Sequence, residues 1–226
     1  GKFISFNKYQ PVHISWVKRA GIEHLDAKIL DVGCGLGDRL LTLNNDGFEN
    51  LTGIDPFIDS DIDYGNGVRI FNKSLFDMHG QFDLITLHHS FEHMQEPLLV
   101  LKKLSELIKP GHKILVRIPL ASSYAWRNYG VNWFQIDAPR HLFLHTESSM
   151  KKLAENTNFT ISDIVYDSNA EQYQKGISLM SKHSYEVDPV ASMFTTEQIQ
   201  KFREQAIELN KTGEGDMACF YLQKNK

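Results

Sequence analysis

The chain has 226 residues, of which 42% are hydrophobic and 23% are charged, a composition typical of a globular domain. A net charge of −4 with scattered Lys and Arg argues against a nucleic-acid surface. No apolar run approaches the roughly 18 residues of a membrane span, and none forms a signal peptide. Two cysteines cannot build a disulfide framework, so the composition favours the reducing cytoplasm.

A β/α alternation occupies most of the chain. Apolar runs with polar flanks predict buried strands at residues 27–32, 51–54, 68–71, 82–87, 113–118, 160–166 and 217–222. Helical spacing and capping signals predict helices at residues 12–20, 38–44, 97–107, 147–156 and 195 to about 209. Segment 169–193 has no clear period and is predicted to be a mobile loop or lid. The alternation predicts one α/β domain over residues 1–226, doubly wound around a mostly parallel sheet, with insertion or lid segments at about 120–145 and 169–212.

Three glycines follow the first predicted strand at alternate positions, in "ILDVGCGLGD". In a doubly wound sheet the ligand lies beyond the carboxyl ends of the central strands. Gly33, Gly35 and Gly37 would let the chain turn there and let a ligand approach the backbone. Asp38 stands where a dinucleotide fingerprint needs its third glycine, and the Gly-Lys-Ser/Thr of a P-loop is absent. Asp31 before the turn, with no basic residue in the turn itself, favours a cationic ligand without phosphate.

A second marker is Asp55 in "LTGIDP", about twenty residues after the glycine turn. A lone Asp after a strand is usually a turn former or a helix cap. At this interval from the glycines, however, its carboxylate can accept hydrogen bonds from both hydroxyls of a ribose. The spacing therefore favours a ribose-binding residue.

Four stretches in the same order, "ILDVGCGLG", "GIDP", "FDLITLHHSFEHMQEP" and "LIKPGHKILVRIP", resemble those of class I S-adenosylmethionine-dependent methyltransferases. The nearest groups are the ubiquinone-biosynthesis O-methyltransferases and relatives in glycan and small-molecule pathways. The resemblance covers about residues 27–166. It implies a Rossmann-like, seven-stranded sheet whose last strand, at residues 217–222, is antiparallel.

The resemblance also implies S-adenosyl-L-methionine as the cofactor. The cofactor-binding residues that it implies are Asp31, Gly33, Cys34, Gly35, Asp55, Pro56, Ser74, Leu75 and His88. In that family the glycine turn holds the methionine part and the residue matching Asp55 holds the ribose. Ser74 and Leu75 fall where the family binds adenine, although many relatives have an acidic residue at the position of Ser74.

Three histidines and a glutamate follow the fourth strand, in "LHHSFEHMQEP". A neutral imidazole of His89 or His93 near the transferring methyl group can accept the proton of a substrate hydroxyl. The alternative is that His88 contacts the cofactor through its backbone, while Glu92 and His93 only begin a helix and orient the loop.

Residues His89 to His93 also match the H-x-x-E-H of inverted zinc peptidases. Zinc ligation at this spacing needs a helix through both histidines, and Pro97 lies only four residues beyond His93. A metal-dependent hydrolase is therefore the less favoured alternative. A second alternative is a divalent ion that orients the substrate, as in some ubiquinone O-methyltransferases. Those relatives carry a carboxylate where this chain has His89. No metal ligand is predicted.

Aromatic residues crowd the stretch "ASSYAWRNYGVNWFQIDAPRHLFLHT" after the fifth strand. They form either a satellite core beneath a loop or the wall of an apolar substrate pocket. Asp137, Arg140 and His141 would supply polar groups to such a pocket. His141 is a second candidate base, and Arg140 is a candidate partner for an anionic group. The segment "DAPRHL" also resembles one in methyltransferases of polysaccharide and sugar pathways.

These patterns predict methyl transfer to a small molecule or glycan precursor, with oxygen as the favoured acceptor atom. A sulfonium methyl is already electrophilic, so the protein must align nucleophile, carbon and sulfur and exclude water. The non-enzymatic alternative is a methyltransferase-fold protein that binds the cofactor without turnover.

Overall fold

The computed structural model describes residues 12–181 and 193–225. By its internal contacts the chain divides into two compact units. The described part of unit 1 is residues 12–117, 151–163 and 220–225. That of unit 2 is residues 118–150, 164–181 and 193–219. The organisation of the whole chain as one domain stays a prediction.

A mixed sheet of eight strands forms the β structure of the described residues. The strands are β1 Lys28–Val32, β2 Asn50–Ile54, β3 Ile62–Asp63, β4 Val68–Phe71, β5 Phe82–His88, β6 Ile108–Pro119, β7 Phe159–Tyr166 and β8 Met217–Lys224. Their order is β3-β4-β2-β1-β5-β6-β8-β7. The sheet is mostly parallel, with antiparallel strands at the C-terminal end. The predicted doubly wound fold is confirmed. The sheet has one strand more than the seven that the resemblance implies, and this strand is the two-residue β3, which is antiparallel to β4.

Seven α-helices lie in the described residues. They are α1 Val12–Arg19, α2 Asp38–Asn45, α3 Pro97–Leu107, α4 Tyr124–Tyr129, α5 Glu147–Glu155, α6 Glu171–Met180 and α7 Thr196–Lys211. The predicted capping box of α7 is confirmed: Thr195 Oγ1 accepts from Gln198 N, and Gln198 Oε1 accepts from Thr195 N. Over the same described part of the chain, none of the helices combines the length and hydropathy that a transmembrane segment needs.

The centre of unit 1 positions the predicted site. Strand β1 lies between β2 and β5 and is parallel to both, so the three strands end at one edge of the sheet. Four of the five residues of β1 are buried, as expected for a central parallel strand covered on both faces. The chain order reverses between β1 and β5, so the glycine turn lies at a topological switch point.

Strand β6 differs from the prediction at its start. The strand was predicted at residues 113–118, but β6 begins already at Ile108, before Pro110 and Gly111. Its register with β5 shifts between Phe82 and Leu84, which marks a bulge, and Gly111 has a φ of 77°. Pairing with β5 therefore outweighs the local turn signals.

The predicted loop at residues 169–193 is partly wrong, because α6 occupies Glu171–Met180. Residues 182–192, also within that prediction, lie outside the described residues. The buried face of α6 includes Gln172, Gly176 and Ser178, so no apolar period marks it in the sequence. A Cβ at Gly176 would lie 2.6 Å from the Tyr129 ring, so a small residue is required at this contact.

Candidate functional site

The glycine turn links the carboxyl ends of β1 and β2 in unit 1. Gly33 N donates to Ile54 O at 2.8 Å, which joins the ends of the two strands. The φ of Gly33 is 72°, and a Cβ there would lie 2.5 Å from Ser90 Cβ. Gly33 is therefore required both by its left-handed backbone and by the close approach of Ser90.

Gly35 has a different environment. Its φ is 55°, but no heavy atom of the described residues outside its chain neighbours lies within 4 Å of the position of a Cβ. Its N–H donates to Asp55 Oδ2 at 2.8 Å. The turn thus has an open backbone surface at Gly35 and a carboxylate held directly beside it.

Asp55 is fixed by two backbone donors. Its Oδ2 accepts from Gly35 N, and its Oδ1 accepts from Phe57 N at 2.9 Å. The side chain is half-buried. Because each carboxylate oxygen can accept a second hydrogen bond, Asp55 keeps acceptor capacity for two hydroxyl groups.

Asp31 is buried at the end of β1. Its Oδ1 accepts from Thr86 Oγ1 at 2.7 Å, across the parallel pair of β1 and β5. Burial raises the pKa of Asp31 to about 6, while the Thr86 hydrogen bond and the charge of Arg39 act in the opposite direction. Asp31 is thus a carboxyl group whose protonation changes close to neutral pH.

His88 is the last residue of β5 and is buried. Its ring centroid lies 4.6 Å from that of Trp16 on α1, and Arg117 Cζ lies 5.6 Å from the Trp16 ring centroid. Burial lowers the pKa of His88 well below its usual 6.5, and the charges of Arg39 and Arg117 lower it further. His88 is therefore a neutral imidazole.

A cavity of about 20 Å³ separates α1 from the ends of β1 and β5. Its polar lining comes from His13, Asp31, Arg39, Thr86 and His88. This volume is enough for one water molecule. Trp16 of α1 also lines the cavity, so α1 packs beside the carboxyl ends of β1 and β5.

His89 is held by contacts at both ring nitrogens. Arg117 Nη1 is hydrogen-bonded to His89 Nε2, and His89 Nδ1 lies 3.4 Å from Oε1 of Glu92, a side chain with 0% exposure. Since Arg117 can only donate, Nε2 accepts and the Nδ1 proton points towards Glu92. The φ of His89 is 54°, in the left-handed region.

The segment that matches the zinc-peptidase motif is not an α-helix. Phe91–His93 forms a 3₁₀ turn, and α3 begins only at Pro97. The structure thus lacks the continuous helix through His89 and His93 that i, i+4 zinc ligation needs. The side chain of His93 is exposed.

The other predicted cofactor residues lie around the same edge of unit 1. Ser74 caps the 3₁₀ turn Leu75–Asp77 that follows β4, and its Oγ accepts from Phe76 N at 3.3 Å. Leu75 is buried, whereas Pro56, directly after Asp55, is exposed. Cys34 lies buried inside the glycine turn, where burial raises the pKa of its thiol to about 12.

The predicted polar groups of the aromatic segment lie in unit 2. Arg140 Nη2 donates to Asp137 Oδ1 at 2.7 Å. His141, 5% exposed, has Nδ1 2.7 Å from the Gln135 carbonyl oxygen and Nε2 3.7 Å from Asp137 Oδ2. The Gln135 carbonyl requires a proton on Nδ1, so the neutral ring keeps its lone pair on Nε2.

The aromatic side chains of this segment form a core in unit 2. Trp133 is 1% exposed and Tyr129 is buried beside it, packed with Ala125, Tyr173 and Ala206. Trp133 Nε1 donates to the buried Asp216 at 3.0 Å. The sequence allowed two interpretations of these aromatic residues, a satellite core and a pocket wall. The packing matches the satellite core.

Several residues of the unit 1 site were missed in the sequence. They are Trp16, Arg39, Thr86, Ser90 and Arg117. Thr86 could have been found by aligning the parallel strands, because it pairs in register with Asp31. Arg117 could have been found in the same way, because it pairs in register with His88. Arg39 was passed over because it lies two residues after Gly37, just outside the turn in which no basic residue was found. Trp16 gave no signal, because only the tertiary structure brings it beside His88.

A larger groove of about 570 Å³ lies at the opposite edge of unit 1. It is lined by Lys28, Asn50 and Phe82, which are the first residues of β1, β2 and β5. In doubly wound folds ligands bind at the carboxyl ends of the strands. This groove therefore does not belong to the predicted cofactor site.

Comparison with known proteins identifies the family. A family profile described as "Methyltransferase domain" matches residues 7–164. Among curated relatives, the ubiquinone biosynthesis O-methyltransferase of Erwinia tasmaniensis is 24% identical over 137 residues, 56% of each chain. That of Pseudomonas aeruginosa is 28% identical over 127 residues, 51% of this chain and 53% of the relative. The chain thus spans about half the length of the curated relatives that it matches.

Solved structures share the fold at low sequence identity. A possible histamine N-methyltransferase from Thermotoga maritima has a TM-score of 0.60 at 15% identity, covering 95% of this chain and 89% of its own. A mycolic acid cyclopropane synthase complexed with S-adenosylhomocysteine has a TM-score of 0.58 at 16% identity, covering 93% and 84%. At these identities the likeness shows the fold alone.

The residues of unit 1 fit S-adenosylmethionine, the cofactor that the sequence resemblance implies. The open backbone at Gly35 leaves room for a ligand, and Asp55 beside it offers acceptors to two hydroxyls. Asp31 and Asp55 supply carboxylates that suit a cationic ligand. Asp38 stands where a dinucleotide-binding turn would need a glycine, so the site does not suit a dinucleotide. The chain therefore belongs to the methyltransferase-domain family.

Proposed function

We propose that this chain transfers the methyl group of S-adenosylmethionine to an oxygen atom of a small molecule, with glycan precursors among the candidate acceptors. The names of the curated relatives, ubiquinone biosynthesis O-methyltransferases, support oxygen as the acceptor atom. The resemblance of "DAPRHL" to sugar-pathway enzymes supports the glycan class. The proposed compartment is the cytoplasm, where the buried thiols of Cys34 and Cys219 would stay reduced.

The observation that carries the proposal is the hydrogen bond between Gly35 N and Asp55 Oδ2. This bond holds the Asp55 carboxylate beside the open part of the glycine turn, which supports a role in binding hydroxyl groups. In the proposed arrangement Asp31, Gly33 and Gly35 would hold the methionine part, and Asp55 would hold the ribose. Cys34, Pro56, Ser74, Leu75 and His88 complete the proposed cofactor set.

When bound, the cofactor supplies an electrophilic methyl group on a sulfonium sulfur. The protein then has to orient the acceptor, exclude water and accept a proton from the acceptor hydroxyl. We propose His93 as the base, because its exposed imidazole follows the strand that ends at the site. His141 remains the second candidate.

The contacts of His89 favour a positioning role over that of the base. Its Nε2 accepts from Arg117, and its Nδ1 faces the buried Glu92. We propose that His89 orients the loop that carries His93 and does not itself accept the proton. Replacing His89 would then lower turnover through the position of His93.

The test is a screen for S-adenosylhomocysteine release over phenols, deoxysugars, quinone precursors and small acids. We expect at least one acceptor to give release above the acceptor-free rate, and Asp55→Ala to reduce that release. Asp59→Ala, an exposed carboxylate in the loop after β2, is the matched control and should leave the rate unchanged. Tight cofactor binding without turnover on any acceptor class would favour a cofactor-binding protein over an enzyme.

A further inference from the structure

Unit 2 contains a groove of about 630 Å³ beside α7 that neither the cofactor site nor the candidate bases use. Its lining comes from helices α4, α6 and α7. The main lining residues are Tyr124, Tyr173, Glu204, Ile207, Glu208 and Leu209. We refer to it as the α7 groove.

One wall of the α7 groove is aromatic. The rings of Tyr124 and Tyr173 have centroids 6.1 Å apart with an interplanar angle of 45°. Tyr173 is buried and stacks on Phe202 at 5.2 Å, so the wall is held by the core of unit 2. Tyr124 is half-buried and presents the more accessible ring.

The other wall is acidic. Glu204 and Glu208 lie one helical turn apart on α7 and therefore on one face. Glu204 Oε1 accepts from Gln200 Nε2 at 2.9 Å, and Glu208 Oε1 accepts from Lys211 Nζ at 2.6 Å. Both carboxylates are exposed, and that of Glu208 is also paired with Lys211.

The lining also contains exposed apolar surface and lacks positive charge. Ile207 is 54% exposed between the two glutamates. Within the described part of the chain, no Lys, Arg or His lines the groove. An occupant would thus meet aromatic rings, an aliphatic side chain and two carboxylates.

We propose that the α7 groove binds an organic cation, either a quaternary ammonium or a protonated amine with an apolar body. A cation is attracted by the faces of aromatic rings and by the two carboxylates, while its apolar body removes Ile207 from water. A bare metal ion does not fit, because it needs several oxygen ligands around it and most of this lining is apolar or aromatic. The proposal rests on residues of unit 2 alone and does not depend on the proposed function.

The test uses choline and its neutral analogue of the same shape, 3,3-dimethylbutan-1-ol, titrated into the full chain and followed by NMR. We expect saturable binding of choline, at least about tenfold tighter than that of the neutral alcohol. The double variant Glu204→Gln with Glu208→Gln should weaken choline binding several-fold, and so should Tyr124→Leu. Glu197→Gln, an exposed glutamate in the first turn of the same helix, is the matched control and should bind choline as the wild type does.

Binding of S-adenosylhomocysteine reports separately on the fold of each variant, because no residue of the α7 groove belongs to the proposed cofactor set. Equal affinity for choline and the neutral alcohol would overturn the proposal. So would the absence of saturable choline binding at millimolar concentrations. Unchanged choline affinity in the double glutamine variant would also refute it.

Discussion

Replacing Asp31 by Asn should change how the stability of the protein depends on pH. Asp31 is buried, and burial raises its pKa from 3.8 to about 6. The folded protein therefore holds the Asp31 proton at a pH where the unfolded chain has released it. Stability from this group is fully present below pH 3.8 and is lost as the pH rises through 6. Asparagine carries no such proton, so Asp31→Asn should lack this part of the pH dependence.

The magnitude follows from the two pKa values. A rise from 3.8 to about 6 corresponds to about 3 kcal/mol of lost stability once both states are ionised. About 1.5 kcal/mol of this loss falls between roughly pH 5 and pH 7.5, a range convenient for measurement. The amide of Asn adds a cost of its own in the buried site, but that cost does not vary with pH. The informative quantity is therefore the change with pH in the stability difference between wild type and variant.

The assay is urea unfolding of the cofactor-free protein at about pH 5 and at about pH 7.5, followed by circular dichroism. We expect the free energy of unfolding of the wild type to fall by about 1–1.5 kcal/mol relative to Asp31→Asn on going from the lower to the higher pH. Asp59→Asn removes an exposed carboxylate and should track the wild type. The same pH dependence in wild type and Asp31→Asn would refute the reasoning.

Three further predictions concern the proposed site and its candidate bases. Asp55→Ala should weaken S-adenosylhomocysteine binding by about 1–3 kcal/mol, measured by calorimetry, in a variant that still folds; unchanged affinity would show that the ribose is held elsewhere. His141→Asn should lower kcat by roughly 10²–10⁴ if His141 is a base, with cofactor affinity kept. If His141 only organises its loop through the Gln135 carbonyl, the variant should instead lose thermal stability and keep most of its turnover. Chelation should leave cofactor affinity unchanged, because no α-helix joins His89 to His93; stoichiometric zinc bound by these two residues would contradict this prediction.

The sequence was most informative where local signals and the fold agree. Helix α3 has the predicted bounds, because Pro97 fits the first turn and the apolar residues keep one face. Strand β4 also has its predicted bounds. The glycine turn and Asp55 could be singled out because their spacing reflects two neighbouring parallel strands, and in the structure Gly35 N donates a hydrogen bond to Asp55 Oδ2.

The features that were missed depend on tertiary contacts. Helix α6 buries polar and small residues, so it has no apolar period, and Gly176 is explained only by the Tyr129 ring against it. The start of β6 is fixed by pairing with β5 through a bulge, in spite of a Pro-Gly turn signal. The raised pKa of Asp31 results from its burial in the sheet, which outweighs the opposing hydrogen bond from Thr86. None of these contacts is encoded in a local pattern.

Calorimetric titration with S-adenosylhomocysteine and, separately, with NAD tests the central claim most directly. The glycine turn, the open backbone at Gly35 and the fixed carboxylate of Asp55 predict a micromolar dissociation constant for S-adenosylhomocysteine, about 8 kcal/mol of binding free energy. NAD should show no comparable binding, because Asp38 replaces the glycine that its pyrophosphate would need. Tighter binding of NAD than of S-adenosylhomocysteine would contradict the assignment of this site.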